Sequence, residues 1–400
     1  MIRHVLLVVA CAAGTAEADE DAVGGVSAED TASERTAAPA SEAPPVASAL
    51  AQATPVLVPE LQAGTLRMRV YGSLRPSLSV IHNDATLERD RWAYGVSGSR
   101  VDLGVDAAVG GGVSAVFYVR VASDRDAMGD TVARIDLERA LVRYAPIPAL
   151  RFSLGRDQIP LSAQSATPTV GRVFPSRIAL DNAFVLPGDV GAQAQVMTSK
   201  LSAFAGVWNG VAADAMLAAG ASERGLLYTT RLEVTPLGAF AFDEGVRPAQ
   251  LRVGIGAAFA YRSATQFTAT GAEGGHSRAL RASASLRAAW QGLFVQAELL
   301  RKQITDDLSS RPDVATAVYA QASWRFAMRQ LDLAPLARAG VEDRRQLSAP
   351  ARATSLELGV AAFPLARATD RLQVNAMYEH HDDPDVGASQ LVRATLRLSF

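Results

Sequence analysis

The chain has 400 residues with 39 basic and 41 acidic side chains, a formal net charge of −2, so its overall charge offers nothing to nucleic acid. Nearly half of it is apolar, yet no stretch reaches the ~18 consecutive apolar residues of a membrane-crossing helix. Lys200 and Lys302 are its only lysines; the rest of its positive charge is arginine, whose planar fork suits carboxylates and phosphates.

The opening MIRHVLLVVACAAGTAEA places Arg3 before an apolar stretch, Val5 to Ala13, and runs into Ala16-Glu17-Ala18. That order predicts a secretory signal peptide over 1–18 with an A-x-A cleavage site. The sole cysteine, Cys11, lies inside it, and Val8-Val9-Ala10-Cys11 loosely resembles a lipoprotein box, which leaves lipidation as an alternative. Cleavage after Ala18 gives a mature chain with no cysteine and no disulfide. Residues 19–63 are rich in Ala, Pro, Ser and Glu. They hold few large apolar groups to offset chain entropy and read as a disordered periplasmic tether.

From 64 to 400 the pattern takes a period of two. Val101, Leu103, Val105 and Ala107 alternate with Asp102, Gly104, Asp106 and Ala108. At the end of the chain Val392, Ala394, Leu396, Leu398 and Phe400 alternate with Arg393, Thr395, Arg397 and Ser399. Such alternation predicts strands with one apolar and one polar face. Sixteen segments qualify: 65–80, 98–109, 112–123, 134–145, 149–158, 190–197, 200–208, 226–237, 249–263, 278–290, 293–304, 314–328, 331–342, 353–363, 370–381 and 389–400. Pro335 sits inside one of them without an N–H for the ladder.

Odd-numbered segments are followed by longer links, such as 81–97, 159–189 and 209–225; even-numbered ones are mostly followed by tight turns, such as "GG" at 110–111 and "QG" at 291. The link "GAFAFDEGVRPA" at 238–248 is the exception. Long loops at one end and short turns at the other are the asymmetry of outer-membrane barrels. Tyr144, Trp290, Phe326, Phe363 and Phe400 fall at the short-turn end, and Trp208, Tyr228, Tyr261 and Tyr378 near the other, as two aromatic girdles would. The expected fold is all-β: a 16-stranded antiparallel transmembrane β-barrel with long extracellular loops and short periplasmic turns. A soluble sandwich or propeller explains alternation, but not strands of roughly 10–15 residues where soluble sheets average ~5–6. The barrel reading puts outer-membrane lipid against the apolar face and the chain in the outer membrane of a Gram-negative-type cell, reached by secretory export.

The stretch "LGRDQIPLSAQSATPTVGRVFPSRIALDNAFVLPGDVGAQAQ" resembles the phosphate-selective porin O and P family. A strand ends in G-R-x-x-x-P, a long loop follows, and Gly-Asp-x-Gly opens the next strand. "FAGVWNG" (204–210), "YTTRLEVTPLG" (228–238) and the terminal "RATLRLSF" are similar to further strand ends of that family. The resemblance covers about 64–400. It implies a homotrimeric sixteen-stranded channel whose third external loop folds into the lumen. The lysine clusters on which the family's phosphate selectivity depends are absent here, so that specificity does not follow. The terminal aromatic Phe400 resembles the signal read by outer-membrane assembly machinery.

A barrel of this size leaves a water-filled lumen. The expected function is passive diffusion of small hydrophilic solutes with a mild preference for anions, because inward arginines outnumber inward acids. Loop 159–189 is the expected constriction, with Arg172, Arg177 and Asp181 among its charges; Arg172 and Arg177 either touch solute or pin the loop to the wall. Arg120, Arg139, Arg143 and Arg151 are expected beside it, and Arg231, Arg281, Arg287, Arg325, Arg393 and Arg397 along the lumen wall. Facing acids are Asp102, Asp106, Glu233, Glu298, Glu342, Glu357 and Glu379. Cross-strand pairing of these charges would instead give an unselective or plugged structural barrel. A barrel enzyme needs a His with Ser or Asp partners. The sole candidate, His380-His381-Asp382-Asp383, puts neighbours on opposite faces of a strand and reads as a solvated loop. No catalytic residue, metal ligand or cofactor is assigned.

Overall fold

The computed structural model describes residues 60–83, 92–96, 99–125, 131–168, 172–178, 180, 184–210, 222–240, 243–245, 247–267, 273–307, 312–329, 331–345, 350–364, 372–384 and 387–399. The expected signal peptide, the tether up to residue 59, Asp181 and Phe400 lie outside the described residues.

Sixteen long strands follow one another in antiparallel order. They are β1 (Leu66–Arg75, resumed beyond Pro76 as Ser77–Asn83), β2 (Ser99–Val109), β3 (Val113–Arg125), β4 (Thr131–Ile147), β5 (Leu150–Asp157), β6 (Asp189–Met197), β7 (Leu201–Trp208) and β8 (Leu227–Val234). The second half comprises β9 (Arg252–Phe267), β10 (Glu273–Trp290), β11 (Leu293–Asp306), β12 (Asp313–Trp324), β13 (Asp332–Arg345), β14 (Pro350–Phe363), β15 (Leu372–Asp383) and β16 (Gly387–Ser399). Each predicted segment finds its strand. The sheet closes where β16 pairs with β1, Thr395 opposite Ser77 and Leu398 opposite Leu74. Closure leaves no edge with unpaired backbone groups, the condition for a sheet to cross hydrocarbon.

The side-chain alternation is clean. Along β8, Leu227, Thr229, Arg231 and Glu233 are buried while Tyr228, Thr230, Leu232 and Val234 are exposed. Leu154, Ile255, Leu286, Val318, Leu358 and Leu396 lie on the outer face of different strands, each between 42% and 66% exposed. The exposed apolar residues extend around the whole wall, far beyond the few-hundred-Å² patch of a soluble monomer. Hydrocarbon is the medium that such a belt requires.

Four details depart from the sequence reading. Glu60–Ala63, placed in the tether above, is a short strand paired with Leu66–Arg69. Pro335 stays in register opposite Val360, because its missing N–H falls where the β12 side of the ladder is interrupted between Trp324 and Phe326–Ala327. Trp208 and Phe363 are not girdle residues: both are inside the barrel, 1% and 2% exposed. In β4 a bulge opposite Tyr118/Val119 shifts the alternation by one residue, which turns Asp136 and Glu138 inward beside Arg139.

Candidate functional site

The loop between β5 and β6 enters the lumen and covers the inner faces of the strands on one side. Ile159, Leu161 and Leu186 pack with Phe204, Trp208 and Leu227 on β7 and β8. Val173 and Phe174 pack with Leu336, Phe363 and Met377 on β13–β15. Ile178, Leu180 and Phe184 pack with Leu300, Ala317 and Tyr319 on β11 and β12. These wall positions are apolar although they face inward, because the loop removes them from water.

The loop is also tied down by hydrogen bonds. A short helix in it, α1 (Ala163–Ala166), starts on a reciprocal capping box of Ser162 and Ser165. The Ala163 N–H donates to Glu298 at 2.8 Å, and Gln164 donates to Gln321 at 2.7 Å. Gln373 donates to the Val173 carbonyl at 2.6 Å, Arg397 to the Arg172 carbonyl at 2.7 Å, and Arg75 to the Pro175 carbonyl.

The exceptional link 238–248 enters from the opposite end. Phe240 is buried with Ala289 and Phe294, under the Arg287 guanidinium 4.7 Å from its ring centre. Glu244, 3% exposed, accepts the N–H of Val173 at 2.9 Å, that of Phe174 at 3.4 Å, and the Gln321 amide at 2.9 Å. It clamps the tip of the inward loop from below. Its sequence signal was there: a long link on the end where most turns are tight.

The arginines expected on the lumen wall are mostly consumed by this packing. Arg287 and Arg231 share Glu233, the latter pair at 3.1 Å. Arg325 pairs with Asp332 at 3.0 Å and lies 4.1 Å over Phe363. Arg281 and Arg397 are buried, and Arg393 stands 3.5 Å from Glu379. Arg172, buried, donates to the carbonyls of Gln164 and Thr167 at 3.0 and 2.8 Å, both within the loop itself. Arg177 is half-buried within the same loop.

The wall of β1–β6 is different. Ser73, Arg75, Asp102 and Ser153 are buried there, but Arg67, Tyr71, Arg120, Arg139, Arg143 and Arg151 stay at least partly exposed on the inner face. Arg120 bridges Asp102 at 2.9 Å and Glu138, and Arg139 meets Asp157 at 3.0 Å. Arg69 and the Tyr71 hydroxyl both approach Asp106, at 3.3 and 3.2 Å. Register places Arg67, Ala108, Ser114 and Arg143 in one row across β1–β4, and Arg151 is two residues from Ser153, the partner of Arg143. No hydrogen-bond or carboxylate partner meets Arg67, Arg143 or Arg151 among the described residues. Alternation found these arginines; it missed Glu138 and Asp136, which only the bulge turns inward, and Asp157, at the last position of β5.

No protein-family model and no curated protein matches the chain. Solved structures do. The outer membrane channel DcaP of Acinetobacter baumannii aligns over 85% of this chain and 99% of its own, at 10% identity and TM-score 0.56. An anion-selective porin from Comamonas acidovorans aligns over 84% and 100%, at 13% identity and TM-score 0.53. The trimer form of in-vitro folded OmpT, an outer membrane protein of Vibrio cholerae, aligns over 84% and 100%, at 12% identity and TM-score 0.51. At such identities these likenesses establish the fold: the chain is a closed sixteen-stranded antiparallel barrel of the outer-membrane type.

Proposed function

We propose that this protein is an outer-membrane porin, a passive diffusion channel for small hydrophilic solutes with a mild anion preference. The observation that carries the reading is the uncommitted positive charge of Arg67, Arg143 and Arg151 on the inner face of β1, β4 and β5. Fixed positive charge in a narrow aqueous passage concentrates anions and repels cations. The resemblance to the phosphate-selective porins O and P supports the same architecture, but with two lysines in the chain phosphate specificity is left aside. A homotrimer inserted in a Gram-negative-type outer membrane, exported by the signal 1–18 and assembled through Phe400, completes the proposal. It is in keeping with the trimer form of the Vibrio cholerae neighbour.

Reversal potential across a planar bilayer under a salt gradient tests it, with an anion-selective sign expected. A cation-selective sign would remove the role given to the arginines and leave the pore. One observation favours a second reading, a plugged structural barrel: two segments, from opposite ends, enter the lumen. An intact reconstituted barrel that passes no current would establish that reading instead.

A further inference from the structure

The motif His380-His381-Asp382-Asp383, read from sequence as a solvated loop, is the last part of strand β15. Alternation turns His381 inward and His380 away, and across β14–β15 His381 lies opposite Ser355 and Glu379 opposite Glu357. One ligand atom from each of Glu357, Glu379 and His381 lies within 4.8 Å of the other two. Both carboxylates are buried, at 1% and 5% exposure. Two further features point to a missing occupant. Ser355, 4% exposed and beside both His381 and Glu357 on the inner face, has no hydrogen-bond partner for its Oγ. Glu379 Oε1 also receives no hydrogen bond; Arg393 Nη1 stands 3.5 Å away without the geometry for one.

We propose that Glu357, Glu379 and His381 form a binding site for a first-row divalent cation, with zinc the best match to one imidazole and two carboxylates. Zinc holds nitrogen and oxygen at ~2.0–2.2 Å, which sets tetrahedral ligand atoms about 3.3 Å apart. Modest side-chain rotations close the present spacing, at most 4.8 Å, to that value. Arg338 binds Oε2 of Glu357 and leaves its other oxygen for the ion. Without a cation, Arg338 and Arg393 balance the two carboxylates. A bound dication therefore displaces Arg393, whose side chain is 22% exposed and can swing into the lumen. Magnesium or calcium, which prefer all-oxygen shells, would not need His381.

The test is calorimetric titration of ZnCl₂ into the full chain in detergent, purified without a histidine tag. One saturable zinc per chain is expected, weakened at least about tenfold by His381→Ala and by Glu379→Gln. His380→Ala, on the opposite face, is the control and should leave binding unchanged. Half-exposed His381 tolerates truncation, so that variant decides the matter even if Glu379→Gln fails to assemble. No saturable zinc, or zinc binding untouched by His381→Ala, overturns the proposal; the second outcome places zinc elsewhere. A carboxylate pair that merely shares a proton gives the first outcome. None of these results depends on whether the barrel conducts.

Discussion

Arg287 and Arg143 arise from the same sequence rule and end in opposite circumstances. Both are inward arginines on barrel strands. Arg287, on β10, is 1% exposed, paired with Glu233 and stacked on Phe240. Arg143, on β4, is partly exposed and has no hydrogen-bond or carboxylate partner among the described residues. Alternation decides the face that a side chain occupies. The inward loop decides whether that face is protein interior or channel. Arginines under the loop are structural because water is excluded there and an unpaired charge is expensive; those left partly exposed without a partner keep their field.

The sharpest way to break this contrast is Glu233→Ala. Glu233 is 2% exposed and neutralises Arg231 and Arg287 together. Its loss strands two buried guanidinium groups, and the expected destabilisation is about 3–5 kcal/mol. Urea unfolding in detergent measures it. A loss below about 1 kcal/mol would show that water reaches this half of the lumen and that the covered region is not interior.

Glu244→Ala attacks the clamp and should act on the pore more than on the barrel. Three accepted hydrogen bonds disappear, two of them from loop backbone, and the buried N–H groups of Val173 and Phe174 lose their acceptor. The expected cost is about 1–3 kcal/mol, together with open-channel current that fluctuates more than in the parent. Quiet single-channel records from the variant would mean that the apolar packing of Val173 and Phe174 fixes the loop unaided.

The double variant Arg143→Ala/Arg151→Ala tests the open half. With no pair to break, its stability should lie within about 0.5 kcal/mol of the parent. The reversal potential should move toward the cation side. If selectivity stayed put while the barrel weakened, these arginines would be structural after all and the division of the lumen would fail.

How far the sequence carries follows from these same residues. All sixteen strands were legible, since each has to present an apolar stripe to lipid, and a period of two is hard to disguise. The inward face of Arg120, Arg139, Arg143, Arg151 and Arg231 followed from the same period. The fate of each arginine was not legible, because partners come from strands and loops far away in sequence: Arg338 meets Ser176, 162 residues earlier, and Gln373 meets Val173, 200 residues earlier. Trp208 and Phe363 were misplaced for a related reason. An aromatic residue near a strand end fits a girdle or a covered inner wall equally well, and only the loop's position distinguishes the two. The bulge at Glu138 leaves no mark in composition and shifts the face of every residue on its N-terminal side.

The smallest effect expected is the most useful baseline. Asp343 and Arg352 face each other on the outer side of β13 and β14, 3.8 Å apart, with side chains 66% and 69% exposed. Charges so hydrated gain little from meeting, and ordering two mobile side chains offsets much of that gain. Asp343→Asn should change the unfolding midpoint by no more than its error and leave the reversal potential alone. This pair and Glu233–Arg287 have the same chemistry and differ in solvent access, so the ratio of the two losses measures how dry the covered lumen is. Should Asp343→Asn prove as damaging as Glu233→Ala, burial would not be what makes the inner ion pairs matter.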